Sequence, residues 1–128
     1  MSKVDDKVRM LPFTMETGLS PDEIRAAGAR SIEAGKRLMN NTIKEDEVAG
    51  NGIRYVVKGP GGLVKQMSMV VSWNEQAAGR RRVDLKVGTY TTSRPTMFGF
   101  IPAGPKSVPA LKSAQRFVES LRIELSAK

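Results

Sequence analysis

The chain has 128 residues, 40% apolar, 27% charged and 5% aromatic, a balance that fits one ordinary soluble domain with length for a single core. With no cysteine and no histidine, it excludes zinc-finger and Cys/His metal sites, thiol nucleophiles, Ser-His triads and imidazole acid–base chemistry. The formal charge is +8, and the excess is uneven, with ten basic and nine acidic side chains over residues 1–64 but eleven and four over residues 65–128.

In chain order, Lys7 to Met15 reads as a strand with Leu11, Phe13 and Met15 on one face, and Pro12 assigns it to an edge or bulged position because it has no N–H to donate. Ser20-Pro21-Asp22-Glu23 then predicts a helix start: an N-cap serine, proline at the first helical position, and a glutamate placed to close a capping box. Ile24, Ala27, Gly28, Ile32, Gly35, Leu38 and Met39 fall on its inner stripe. The small residues among them predict close approach to a sheet, and Asn40-Asn41 predicts the stop. Thr42 to Val48, with its Glu45-Asp46-Glu47 run, reads as a non-core loop or short edge strand.

From Gly52 the period changes to two. Ile53, Tyr55 and Val57 alternate with Arg54, Val56 and Lys58 before a turn at Gly59-Pro60-Gly61-Gly62. Met67, Met69, Val71 and Trp73 share one face of the next and longest strand, which is expected to be central. A loop over Asn74 to Gly79 leads to a strand over Arg80 to Thr91 that faces Val83, Leu85 and Val87 inward. Ser93-Arg94-Pro95-Thr96 turns the chain into a strand over Met97 to Ile101. A last amphipathic helix starts near Ser107 as N-cap and runs to about Ser126, with Leu111, Ala114, Phe117, Val118, Leu121 and Leu125 on its apolar stripe.

These elements predict one α+β domain over residues 1–128, a two-layer sandwich with an antiparallel meander of four or five strands and both helices on one sheet face. Their order resembles the TATA-binding-protein-like arrangement and the simpler helix-grip proteins, in which a long C-terminal helix packs across a curved antiparallel sheet. The resemblance is one of element order and assigns no functional residue.

Alternation places Arg54, Val56, Lys58, Gln66, Ser68, Val70, Arg82, Asp84 and Lys86 on the sheet face away from the helices. Lysine and arginine there suit phosphate contact, although a wet sheet face has the same composition. Tyr90 is the aromatic that parity assigns to that face, and a bulge at Gly88 would turn it inward. Arg80-Arg81-Arg82 offers three guanidinium groups for a phosphate or carboxylate, or else protects a strand edge. Gly104-Pro105-Lys106-Ser107 is no phosphate-binding loop, because Pro105 separates the glycine from the lysine and removes a donor.

The leading expectation is a non-enzymatic binding module that meets an anionic partner, nucleic acid or an acidic surface, through Arg54, Lys58, Arg80, Arg81, Arg82, Lys86 and Arg94. A second reading is a carrier that holds an apolar ligand between sheet and last helix with Met67, Met69, Trp73, Phe98, Phe100 and Phe117, the space helix-grip proteins use for hydrophobic ligands. A third is a homo-oligomer joined through Val56, Val70 and Ile101. No cofactor or catalytic residue is expected: Asp84, between Arg82 and Lys86, reads as a surface carboxylate, and Glu45 to Glu47 lack the spacing of a calcium loop. No apolar stretch has the roughly 18 residues of a membrane span, and the charged N-terminus predicts a cytoplasmic protein.

Overall fold

The computed structural model describes residues 3–36, 42–59, 65–90, 96–97, 101–102 and 110–126. The chain runs α1 (Lys3–Arg9), β1 (Phe13–Thr17), α2 (Pro21–Lys36), β2 (Thr42–Ala49), β3 (Gly52–Lys58), β4 (Lys65–Ala77), β5 (Arg80–Tyr90), the two-residue strands β6 (Thr96–Met97) and β7 (Ile101–Pro102), and α3 (Leu111–Leu125). Strands β1 to β5 form one antiparallel sheet in the order β1-β5-β4-β3-β2. The expected α+β sandwich is present, and β4 is both the longest strand and the middle one. No helix among the described residues is long and apolar enough to cross a membrane.

The inner face follows from the period of two. Leu85, Val71 and Ile53 lie across β5, β4 and β3 in one row, and Val87, Met69 and Tyr55 in the next. Against this face pack Ile24 and Ala27 of α2, and Ala114, Phe117, Val118, Leu121 and Leu125 of α3. The capping box forms as the sequence predicts: the Ser20 amide donates to Glu23 Oε1 at 3.0 Å and the Glu23 amide to Ser20 Oγ at 3.2 Å. Gly28 supplies the close approach, because a Cβ there would overlap the Tyr55 hydroxyl. Buried Ser31 sits on the same stripe, its hydroxyl donating to the Ala27 carbonyl.

Polar ties join the layers. Thr17 Oγ1 donates to the Leu125 carbonyl at 2.8 Å and accepts the Leu19 amide, fastening the end of β1 to the end of α3. Arg30 holds Glu124 with two hydrogen bonds, from Nε at 2.6 Å and Nη2 at 3.3 Å, joining α2 to α3.

Several boundaries differ from the sequence reading. Lys7 to Arg9 belong to a helix, not to the first strand; Val8 and Leu11 are buried in the core, and strand structure begins only after Pro12. Of the two readings of Thr42 to Val48, the edge strand is the one present, as β2 at the end of the sheet, but it is not non-core, because it buries Ile43. The expected loop over Asn74 to Gly79 is a continuation of β4 closed by Ala78-Gly79, where Gly79 takes the left-handed φ of 76° that a tight turn requires. Met97 to Ile101 is not one sheet strand, since Met97 and Ile101 pair with each other as β6 and β7. The last helix begins at Leu111 with Ala110 at its N-cap and no capping side chain. Ser107 lies outside the described residues.

Candidate functional site

The sheet face turned away from α2 and α3 carries the polar half of the alternation. Pairing register brings Lys86, Val70, Arg54 and Glu47 into one row across β5, β4, β3 and β2. The next row holds Ser68, Val56 and Lys44, and the one after it Lys58 and Thr42. Adjacent strands lie about 4.8 Å apart, so this cationic face spans roughly 14 Å from β5 to β2. A bulge in β5 sets its edge: Met67 pairs with Tyr90 and Met69 with Val87, leaving Gly88 and Thr89 opposite Ser68. The Thr89 amide donates to Ser68 Oγ at 3.0 Å, and a Cβ on Gly88 would crowd that oxygen. Tyr90 is thereby turned to the core side, as expected of a bulge at this point.

The cations divide by partner. Arg54 Nη1 lies 3.3 Å from Glu47 and 3.7 Å from Asp46, and Lys65 Nζ lies 3.9 Å from the same Asp46. Arg82 Nε stands 3.8 Å from Asp84, which also accepts the Thr14 hydroxyl. Lys44, Lys58 and Lys86 make no ion pair among the described residues.

Arg80-Arg81-Arg82 does not form the expected three-guanidinium cluster, because successive residues of a strand point to opposite faces. Arg80 and Arg82 share the polar face, where Arg80 Nη2 lies 3.6 Å from Glu16. Arg81 turns to the other side, donating to the Leu19 carbonyl at 3.1 Å with its second Nη 3.8 Å from Glu75. Of the expected anion-binding residues, the sheet therefore brings Arg54, Lys58, Arg80, Arg82 and Lys86 to one face and removes Arg81; Arg94 lies outside the described residues. Lys44 joins them, a residue the sequence reading passed over because the acidic run beside it suggested a loop. The overlooked signal was the alternation of Ile43, Lys44 and Glu45, which puts Lys44 on the face opposite buried Ile43.

The acidic run is occupied by arginine. Glu45 takes two hydrogen bonds from Arg25 of α2, at 3.1 and 2.9 Å, while Asp46 and Glu47 face Arg54. Burial pushes the Tyr55 phenol well above its ordinary range, and the nearby Glu45 adds to the shift.

The apolar set falls in the core. Met67, Met69, Trp73 and Phe117 are all buried, and the Phe117 ring lies 4.9 Å from that of Tyr55, tilted by 53°. Phe98 and Phe100 lie outside the described residues. Of the residues expected at a dimer seam, Val56 is 1% exposed within the single chain, so it offers a partner almost no surface. Val70 is half-buried, and the side chain of Ile101 lies outside the described residues.

Compared with known protein families, curated proteins and solved structures, the chain matches none.

Proposed function

We propose that the chain is a non-enzymatic binding module that takes the phosphate backbone of a nucleic acid on the polar face of its sheet. The supporting observation is that Lys44, Lys58 and Lys86, contributed by β2, β3 and β5, stand on one face with no carboxylate neutralising them among the described residues. Charges spread over several strands suit a repeating anion better than a single small one. An acidic protein surface fits less well, because protein interfaces are anchored by buried aromatic or apolar side chains, and the apolar residues in the rows of this face are Val56, with almost no exposed surface, and half-buried Val70. Its described residues include no aromatic, so it lacks the platforms on which single-stranded bases stack. The reading is therefore of a duplex held through phosphates, with affinity governed by salt and little by sequence.

A fluorescence-anisotropy titration of a labelled DNA duplex over a series of salt concentrations tests this. Each lysine–phosphate contact removed lowers the steepness of log K against log salt by about 0.9. Replacing Lys44, Lys58 and Lys86 together with alanine is expected to flatten the slope by roughly two to three. An unchanged slope in the triple variant removes this face from the binding site.

A further inference from the structure

The end of α1, with Met10 and Leu11 after it, and α3 border an open groove of about 390 Å³ lined by Lys7, Met10, Leu11, Val118, Glu119, Arg122 and Ile123 among others. Its floor is made by Leu11 and Val118, both buried, and its lips by Met10 and Ile123, which are 80% and 64% exposed. Three large apolar side chains stand exposed among the described residues, and two of them meet at this one groove. Isolated exposed apolar side chains are ordinary, but two flanking an apolar depression form a continuous surface that water hydrates poorly. Methionine at one lip adds a side chain that adapts to a partner's shape.

The charge around the groove selects what it fits. Lys7 and Arg122 line it together with one acid, Glu119, while Lys112 and Arg116, one turn apart on α3, line the neighbouring depression beside Gln115 and Glu119. Lys7, Lys112 and Arg116 make no ion pair among the described residues, and Arg122 is held with its guanidinium 5.6 Å from the centre of the Phe13 ring. An apolar trough with cations along its rim is complementary to an apolar stripe with carboxylates beside it. The α3 wall is a 15-residue helix and the other wall is the end of α1 with the turn after it, so neither offers a strand edge for an extended peptide to extend. A helix arrives with its own backbone satisfied and presents apolar side chains at successive turns.

We infer that the groove between α1 and α3 docks an acidic amphipathic helix of a partner protein, its apolar side chains between Met10 and Ile123 and its carboxylates against Lys7, Lys112, Arg116 and Arg122. This surface is separate from the lysines of the sheet face and does not depend on the reading given to them.

The test uses a labelled synthetic peptide of about 18 residues, five helical turns, with leucines on one face and glutamates elsewhere. Its control is a peptide of the same composition with the leucines dispersed. The full chain is expected to bind the patterned peptide about tenfold or more tightly than the dispersed one. Met10→Glu and Ile123→Glu, at exposed positions where circular dichroism should remain unchanged, are each expected to weaken that binding about tenfold. Lys86→Glu, on the sheet face, should leave it unaltered. Equal binding of the two peptides would show attraction by charge alone and overturn the inference. So would insensitivity to both groove variants, or a Kd for the patterned peptide weaker than about 1 mM. Adsorption to phosphatidylglycerol vesicles that depends on Met10 and Ile123, without peptide binding, would assign the surface to a membrane instead.

Discussion

At the scale of single residues, Gly28 shows how a side chain that is absent can define a core. Its missing Cβ leaves room for the Tyr55 hydroxyl beneath α2, and Tyr55 in turn sets the ring against which Phe117 packs. Alanine is the better helix former by about 1 kcal/mol. Overpacking a filled interior costs about 1–3 kcal/mol, so the clash outweighs the propensity. Gly28→Ala is accordingly expected to lower stability in urea denaturation, and Tyr55→Phe in the same chain to recover part of the loss by removing the overlapping oxygen. An alanine variant as stable as the parent would show that α2 can lift away from the sheet without penalty. The glycine-rich stripe was readable in the sequence as a sign of close packing. That it is Tyr55 which fills the space was not, because the contact joins residues brought together only by the fold.

Among elements, the layers are fastened by pairs distant in the chain. The Arg30 guanidinium on α2 holds the Glu124 carboxyl on α3 below its ordinary range, chiefly through their hydrogen bond. A carboxylate with a lowered folded-state pKa contributes stability that is present above its unfolded value, about 4.3, and lost as the pH falls through the folded one. The stability gap between the parent chain and Glu124→Gln is therefore expected in full at about pH 7 and should be smaller at a pH well below about 4.3. A gap of equal size at both values would mean that the substitution acts through packing instead of charge. Elements with strong local signals were legible: the α2 capping box, the alternating runs of β3 to β5, and the apolar stripe of α3. The start of the chain differs because Val8 and Leu11 could serve a strand or a helix, and β2, an edge strand as one reading allowed, differs in reaching the core at Ile43, which was hidden because three consecutive acids resemble a solvated segment. In the second case the arginines that neutralise those acids, Arg25 and Arg54, come from a neighbouring helix and strand.

For the molecule as a whole, the sandwich assigns one sheet face to the core and leaves the other to carry charge. Composition made the basic balance plain, but strand parity decided which cations share a face: it separated Arg81 from Arg80 and Arg82, and added Lys44 from a segment that read as a loop or a short edge strand. Ion pairing then narrowed the set further, since Arg54, Arg80 and Arg82 face carboxylates while Lys44, Lys58 and Lys86 face none among the described residues. A second basic stripe runs along α3, so net charge alone cannot tell which surface an anion meets. The most direct measurement is a map of backbone amide chemical shifts as a DNA duplex is titrated into the isotope-labelled protein. The proposed function predicts shifts concentrated at Lys44, Arg54, Lys58, Ser68 and Lys86, with Lys112 and Arg116 unmoved. Shifts confined to α3, or none at a duplex concentration that saturates anisotropy, would contradict it.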